Sequence, residues 1–154
     1  MSARRRARRD QGQALVEMAF VLPILLTMMF GIIEFGRFMF AYATLNNAIR
    51  EASRYAIVHG STSLCPSGPL PNGQTGAYNP CYDLAGTNVV TRLRAEAFTF
   101  GQSPDLVVAP PIWRDNNNAR GSTVTVSAAY TWRTIIPLLP SITMQASSTD
   151  VINY

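Results

Sequence analysis

The 154-residue chain contains no lysine. All thirteen of its basic residues are arginine, and five of them (Arg4, Arg5, Arg6, Arg8, Arg9) fall in the first twelve positions against one acid, Asp10. That leader therefore carries +4, the formal charge of the whole chain, and residues 13–154 balance eight arginines against eight acids. A neutral body argues against an electrostatic nucleic-acid surface there. Histidine is nearly missing as well. His59 stands alone, with no nucleophile elbow and no partner motif, and a hydrolytic triad needs a base held beside its nucleophile. A helix-end role favoured by the macrodipole suits His59 better; a hydrolase with an unrecognised site is the remaining enzymatic reading. The two cysteines, Cys65 and Cys81, lack C-x-x-C spacing. Gly-rich phosphate loops are also absent. The segment DNNNARG (115–121) invites a calcium reading, but Ala119 and Arg120 stand where an EF-hand loop wants an oxygen ligand and a glycine, so it reads as a turn. No catalytic residue, cofactor site or metal site is expected.

A further absence is of charge. From Met18 to Ile33 the chain reads MAFVLPILLTMMFGII, sixteen residues without one ionisable side chain. A hydrocarbon core of about 30 Å takes about 20 helical residues, and Met18 to Arg37 supplies that number. Glu17 stands at the mouth of this run. A carboxylate at membrane depth is costly and marks a functional site by default. Pro23 removes one backbone donor and should kink the helix, which membrane helices tolerate. Ala19, Pro23, Thr27 and Gly31 recur every fourth residue, a small-residue stripe suited to close helix packing. Glu34 and Arg37 are three apart on one face and can pair near the outer interface. The arginine cluster predicts a cytoplasmic N-terminus and an extracytoplasmic C-terminal part; the alternative for the leader is a disordered basic tail that binds anionic lipid or nucleic acid. Ala41-Tyr42-Ala43 matches a signal-peptide cleavage pattern, but the apolar run is long for that purpose and Glu34 and Arg37 separate it from the site.

The string GQALVEMAFVLPILLTMMFGIIEFGRFMFAYATLNNAIREASRYAIVHG resembles the conserved segment of TadE-like proteins, minor pilins or pseudopilins of the Tad (Flp) type IV pilus machinery. Gly12, Ala14, Val16-Glu17, Leu22-Pro23, Glu34-Phe35-Gly36-Arg37 and Ala52-x-Arg54-Tyr55-Ala56 carry the resemblance, close over residues 10–60 and limited to layout beyond. It implies cleavage by a prepilin peptidase between Gly12 and Gln13, which makes Glu17 the fifth residue of the mature chain. It also implies that Glu17 meets the free amine of a neighbouring pilin. Such an amine has an ordinary pKa of about 7.7–8.0 and suits a carboxylate held in lipid. Met18 follows the glutamate, where processed relatives often carry an aromatic residue. The partners implied are other pilin subunits, the assembly machinery and the lipid bilayer, with no direct nucleic-acid contact. The competing reading is an uncleaved single-pass scaffold whose head recruits a secretion component or a surface polysaccharide.

Beyond the anchor, Leu45, Ala48, Ile49, Ala52, Tyr55 and Ala56 keep three- and four-residue spacing, so the helix is predicted to continue to Gly60. Residues 61–87, rich in Ser, Pro and Gly, read as a loop. Outside the cytoplasm Cys65 and Cys81 within it can form a disulfide; the redox or metal alternative lacks spacing and histidines. Residues 88–100 predict a short helix with Val90, Leu93, Ala97 and Phe100 as its apolar side and Arg92 four before Glu96. Leu106 to Trp113 reads as an edge strand or one broken at Pro110-Pro111. Ser122 to Trp132 alternates, with Val124, Val126, Ala128, Tyr130 and Trp132 on one face, and Ile142 to Ile152 alternates more weakly. Ile135 to Pro140 is an apolar connection, either buried or in contact with the outer leaflet or a partner. The expected fold is α+β: a long N-terminal transmembrane helix extending into a small head with a short helix and a three-stranded antiparallel sheet. The divisions are a basic leader (1–12), a transmembrane helix (13–43), its extension (44–60) and the head (61–154).

Overall fold

A helix of 57 residues, α1 (Ser2–Val58), opens the chain and runs without interruption through Pro23. The computed structural model describes residues 2–74, 79–136 and 140–153, with residues 2–11 as backbone alone. Two compact units divide the chain, Met1–Phe38 and Met39–Tyr154. The second unit, the head, contains the last part of α1, then α2 (Thr87–Glu96) and strands β1 (Leu106–Val108), β2 (Ile112–Trp113), β3 (Thr123–Trp132) and β4 (Ile142–Val151).

Within the head, α1 buries one stripe: Ala41, Leu45, Ala48, Ile49, Ala52 and Ala56, all at 3 % exposure or less. The spacing of three and four puts them on one face, and four alanines let neighbouring backbone approach closely. Burying Leu45 alone is worth about 1.5–3 kcal/mol relative to exposure. The helix ends as its sequence suggests. His59 follows Val58, its Nδ1 lies 2.8 Å from the Tyr55 carbonyl oxygen, and its ring stacks on Tyr55 with centroids 3.9 Å apart.

β3 organises the sheet. All ten of its residues pair antiparallel with β4, from Thr123 opposite Val151 to Trp132 opposite Ile142. Its other edge pairs with both β1 and β2. Val124, Val126, Ala128 and Trp132 are buried, so the predicted inward face is the observed one. The sheet has four strands rather than three, because Leu106–Trp113 is broken at Pro110-Pro111, where ladder donors are missing. Val108 lies opposite Ala128 and Ile112 opposite Thr125, so four residue steps face three. One extra residue on the proline side makes this a bulge.

α2 buries Val89, Leu93 and Ala97, with Phe100 beyond its end. Val89, not Val90, joins that face. The helix starts at Thr87 behind Gly86 and stops at Glu96, short of residue 100; Asp83 Oδ2 accepts from the Asn88 N–H at 2.6 Å in its first turn. Arg92 pairs with Glu96 at 3.0 Å and with Glu51 of α1 at 3.3 Å, which ties the two helices.

The long loop is held by packing as well as by a covalent link. Cys65 and Cys81 form a disulfide. Asn118, from the DNNNARG turn, is fully buried; its Nδ2 donates to the Ser67 carbonyl at 2.9 Å and its N–H to the Pro69 carbonyl at 2.7 Å. The Trp113 indole is clamped between Gly68 and Gly86. A Cβ at either glycine would come within 2.3 Å of the ring, and both glycines have positive φ. Of the predicted apolar connection 135–140, residues 137–139 lie outside the described residues.

Candidate functional site

The sequence places its candidate residues along α1, so their geometry is that of one helix. Among the described residues α1 is the one helix long and apolar enough to cross a membrane. None of its most apolar stretch is buried: Leu15 is 72 % exposed, Phe20 73 % and Ile32 71 %. A helix apolar on every side finds its solvent in lipid.

Heights along the axis follow from a rise of about 1.5 Å per residue. Arg9 to Arg37 spans about 42 Å, the thickness of a bilayer with its headgroups. If the Glu34–Arg37 pair marks one hydrocarbon boundary, a core of about 30 Å ends near residue 14, which leaves Glu17 about 4–5 Å inside. Glu17 is exposed and, among the described residues, makes no hydrogen bond or ion pair. Gln13 lies one turn before it on the same helix face, with Cβ atoms about 5–6 Å apart. Gly12 meets nothing within 4 Å where a Cβ would stand, and the Gly12–Gln13 peptide is helical.

At Pro23 the missing N–H leaves the Ala19 carbonyl without its helical donor. Four residues on, the Thr27 hydroxyl donates to the Pro23 carbonyl at 2.8 Å. Arg37 Nη1 donates to Glu34 Oε2 at 2.8 Å, and the Glu34 side chain is only 11 % exposed. Glu34 and Arg37 continue the three- and four-residue spacing of Ala41, Leu45 and Ala48.

The head contributes polar features that local patterning did not flag. Ser53, fully buried on α1, donates its hydroxyl to Asp150 Oδ2 on β4, and the Ser148 hydroxyl donates to the same oxygen at 2.7 Å. Asp150 thereby fastens the helix to the sheet. Asp105, just before β1, accepts from Arg133 Nε and Nη2 in a forked pair. The hydrogen bond from Arg133 holds the Asp105 carboxyl below its ordinary pKa, against a smaller opposing effect of burial. Arg133 is correspondingly raised. The signal for the Asp150 contact is a polar residue on an otherwise inward-facing register, as Ser148 and Asp150 are in β4; Asp105 and Arg133 lie just outside strands and carry no such signal. No group of three or more His, Cys, Asp or Glu side chains gathers as a metal site among the described residues.

The fold and this helix define a class: a small α+β head carried on an N-terminal membrane-anchor helix. Residues 12–54 match the family model of TadE-like proteins, the family whose motifs the same residues carry. No curated protein and no solved structure matches the chain.

Proposed function

We propose that the chain is a minor pilin-like subunit of a Tad-type pilus, structural rather than catalytic, which primes, caps or regulates assembly in adhesion or DNA uptake. The observation that carries this reading is Glu17, without a hydrogen bond or ion pair among the described residues, five residues past Gly12 and followed by no other charge until Glu34. In lipid such a carboxylate gains most from a cation brought by another subunit. A freed amine at Gln13 of a neighbouring pilin is the cation this pattern supplies. The arginine leader keeps the N-terminus in the cytoplasm, where a prepilin peptidase cuts after Gly12, and the head stands outside the cytoplasmic membrane. The helical Gly12–Gln13 peptide opens locally for cleavage. Glycine makes that easier, since it weakens a helix interior by about 1 kcal/mol relative to alanine.

The test is the Glu17→Ala variant. Membrane insertion should persist and assembly should be lost; normal piliation in that variant excludes the electrostatic docking step. Intact mass of the extracted native protein should lack the twelve leader residues. One observation favours a second reading. The continuous helix through residues 12 and 13 suits an uncleaved single-pass scaffold that recruits a secretion component or surface polysaccharide. Retention of the leader, with no protein in sheared surface fractions, would select it.

A further inference from the structure

Five exposed apolar side chains gather at one end of the head. Phe98 is 75 % exposed, Ile135 67 %, Phe40 54 %, Ile142 47 % and Met39 45 %. Contacts within the head fix them to the same end. Phe98 meets Phe40 edge to face, with centroids 6.3 Å apart. Two residues on, Phe100 stacks on Tyr130 at 4.1 Å. Tyr130 faces Met144 across the sheet, and two residues further along Trp132 lies opposite Ile142. Ile135 follows three residues after Trp132. The opposite end of the head is marked by Asn153, whose N–H donates to the Ile57 carbonyl, and by the loop carrying Leu64.

The apolar end is the one from which the chain continues into the anchor. Met39 is only two residues past Arg37, so chain connectivity keeps this end next to the apolar helix. Phe40 lies about 9 Å beyond Glu34 along the axis, close to the outer limit of a headgroup layer about 5–8 Å deep. Aromatic rings and arginines are the side chains that settle in that layer. Arg37 lies at this level, and Arg133, 74 % exposed, directly follows Trp132. Continuity with the lipid-facing helix thus names the surface that covers these side chains.

We propose that this end of the head rests in the headgroup layer of the bilayer that α1 spans, with Phe98 as its leading contact. The proposal rests on α1 being a membrane anchor. It does not depend on leader cleavage or on pilus assembly. Docked in this way, a subunit must pull Phe98 and Ile135 free of lipid before it leaves the membrane.

The experiment uses the full chain in phosphatidylcholine vesicles brominated near the glycerol end of the acyl chains, diluted so that copies are far apart. Phe98→Trp is compared with Leu64→Trp, which changes a side chain 88 % exposed in the distal loop. The emission of Trp113 and Trp132 in the unsubstituted chain is subtracted, and resistance to alkaline extraction reports insertion. The added Phe98→Trp emission should fall about twofold relative to unbrominated lipid, as for a side chain held at the headgroup boundary, while Leu64→Trp stays unchanged. Equal quenching at both positions, or none at position 98 in an inserted protein, overturns the proposal. Shielding of position 98 that appears only at high protein density would assign this end to a second copy, and also overturns it. Loss of the protein on alkaline extraction defeats the anchor reading itself and is distinguishable from these outcomes.

Discussion

One helix serves two different surroundings. Between residues 18 and 33, α1 carries no ionisable side chain and its apolar side chains stand exposed among the described residues; Ile24 is 64 % exposed and Leu25 60 %. Between residues 41 and 56 it is apolar on one stripe only, and that stripe is sealed, with Leu45, Ala48 and Ala52 at 0 %. The composition differs accordingly. The first segment is rich in Leu, Ile, Met and Phe, large side chains that reach into lipid; the second places alanine and serine where backbone must come close. The comparison teaches that hydrophobicity alone does not tell where a helix is stable. Its angular distribution does, since a stripe needs a folded partner and an all-round coat needs a solvent.

Substitutions can break that contrast. Leu45→Ala should destabilise the head by about 2–5 kcal/mol, through lost burial and the cavity left behind. Leu25→Ala, the same chemical change on the same helix, should leave the head's thermal unfolding midpoint in detergent unchanged. Near-UV circular dichroism reads both. Equal effects would mean that the anchor segment packs on protein in the isolated chain. Replacing Cys65 and Cys81 together by alanine should cost about 3 kcal/mol, since the bridge closes a loop with a sequence separation of 16. The same loss should follow reduction of the unsubstituted protein, with no change in membrane insertion. The smallest effect concerns pH. Asp105 has a lowered pKa when folded, chiefly through its hydrogen bond from Arg133. Its contribution is therefore complete above the ordinary carboxylate range and is lost as pH falls through the lowered value. Because the pair is exposed, the change is slight. Asp105→Asn should flatten that part of the acid limb of the head's stability curve, while the anchor's helicity stays constant over the same range.

Much of the architecture was readable from periodicity. The alternation in Ser122–Trp132 gave both a strand and its inward face, because one side of β3 is buried and the other is not. The spacing of Leu45, Ala48, Ile49, Ala52 and Ala56 gave the helix extension for the same reason. Adjacent valines defeated the reading of α2. Val89 and Val90 fit the spacing to Leu93 and Ala97 about equally well, and in a helix of ten residues only the entry at Gly86 decides between them. Asn118 was hidden altogether. Its local sequence is that of an exposed turn, and the positive φ of Asp115 and Asn116 agrees with one, yet the next asparagine but one is enclosed by the loop at residues 67–69. No local pattern reports a contact across fifty residues. The clamp of Trp113 by Gly68 and Gly86 escaped for that reason too. Along the anchor the position of each candidate was legible, because a single helix turns spacing directly into height and face.

Pro110 and Pro111 have an effect beyond the strand they divide. A sheet margin with a long run of free amide and carbonyl groups recruits foreign strands, and anchored proteins are crowded side by side in two dimensions. The margin formed by β1 and β2 offers at most three consecutive residues before imino acids interrupt it. That side therefore gives a neighbouring chain no template for cross-molecular zippering.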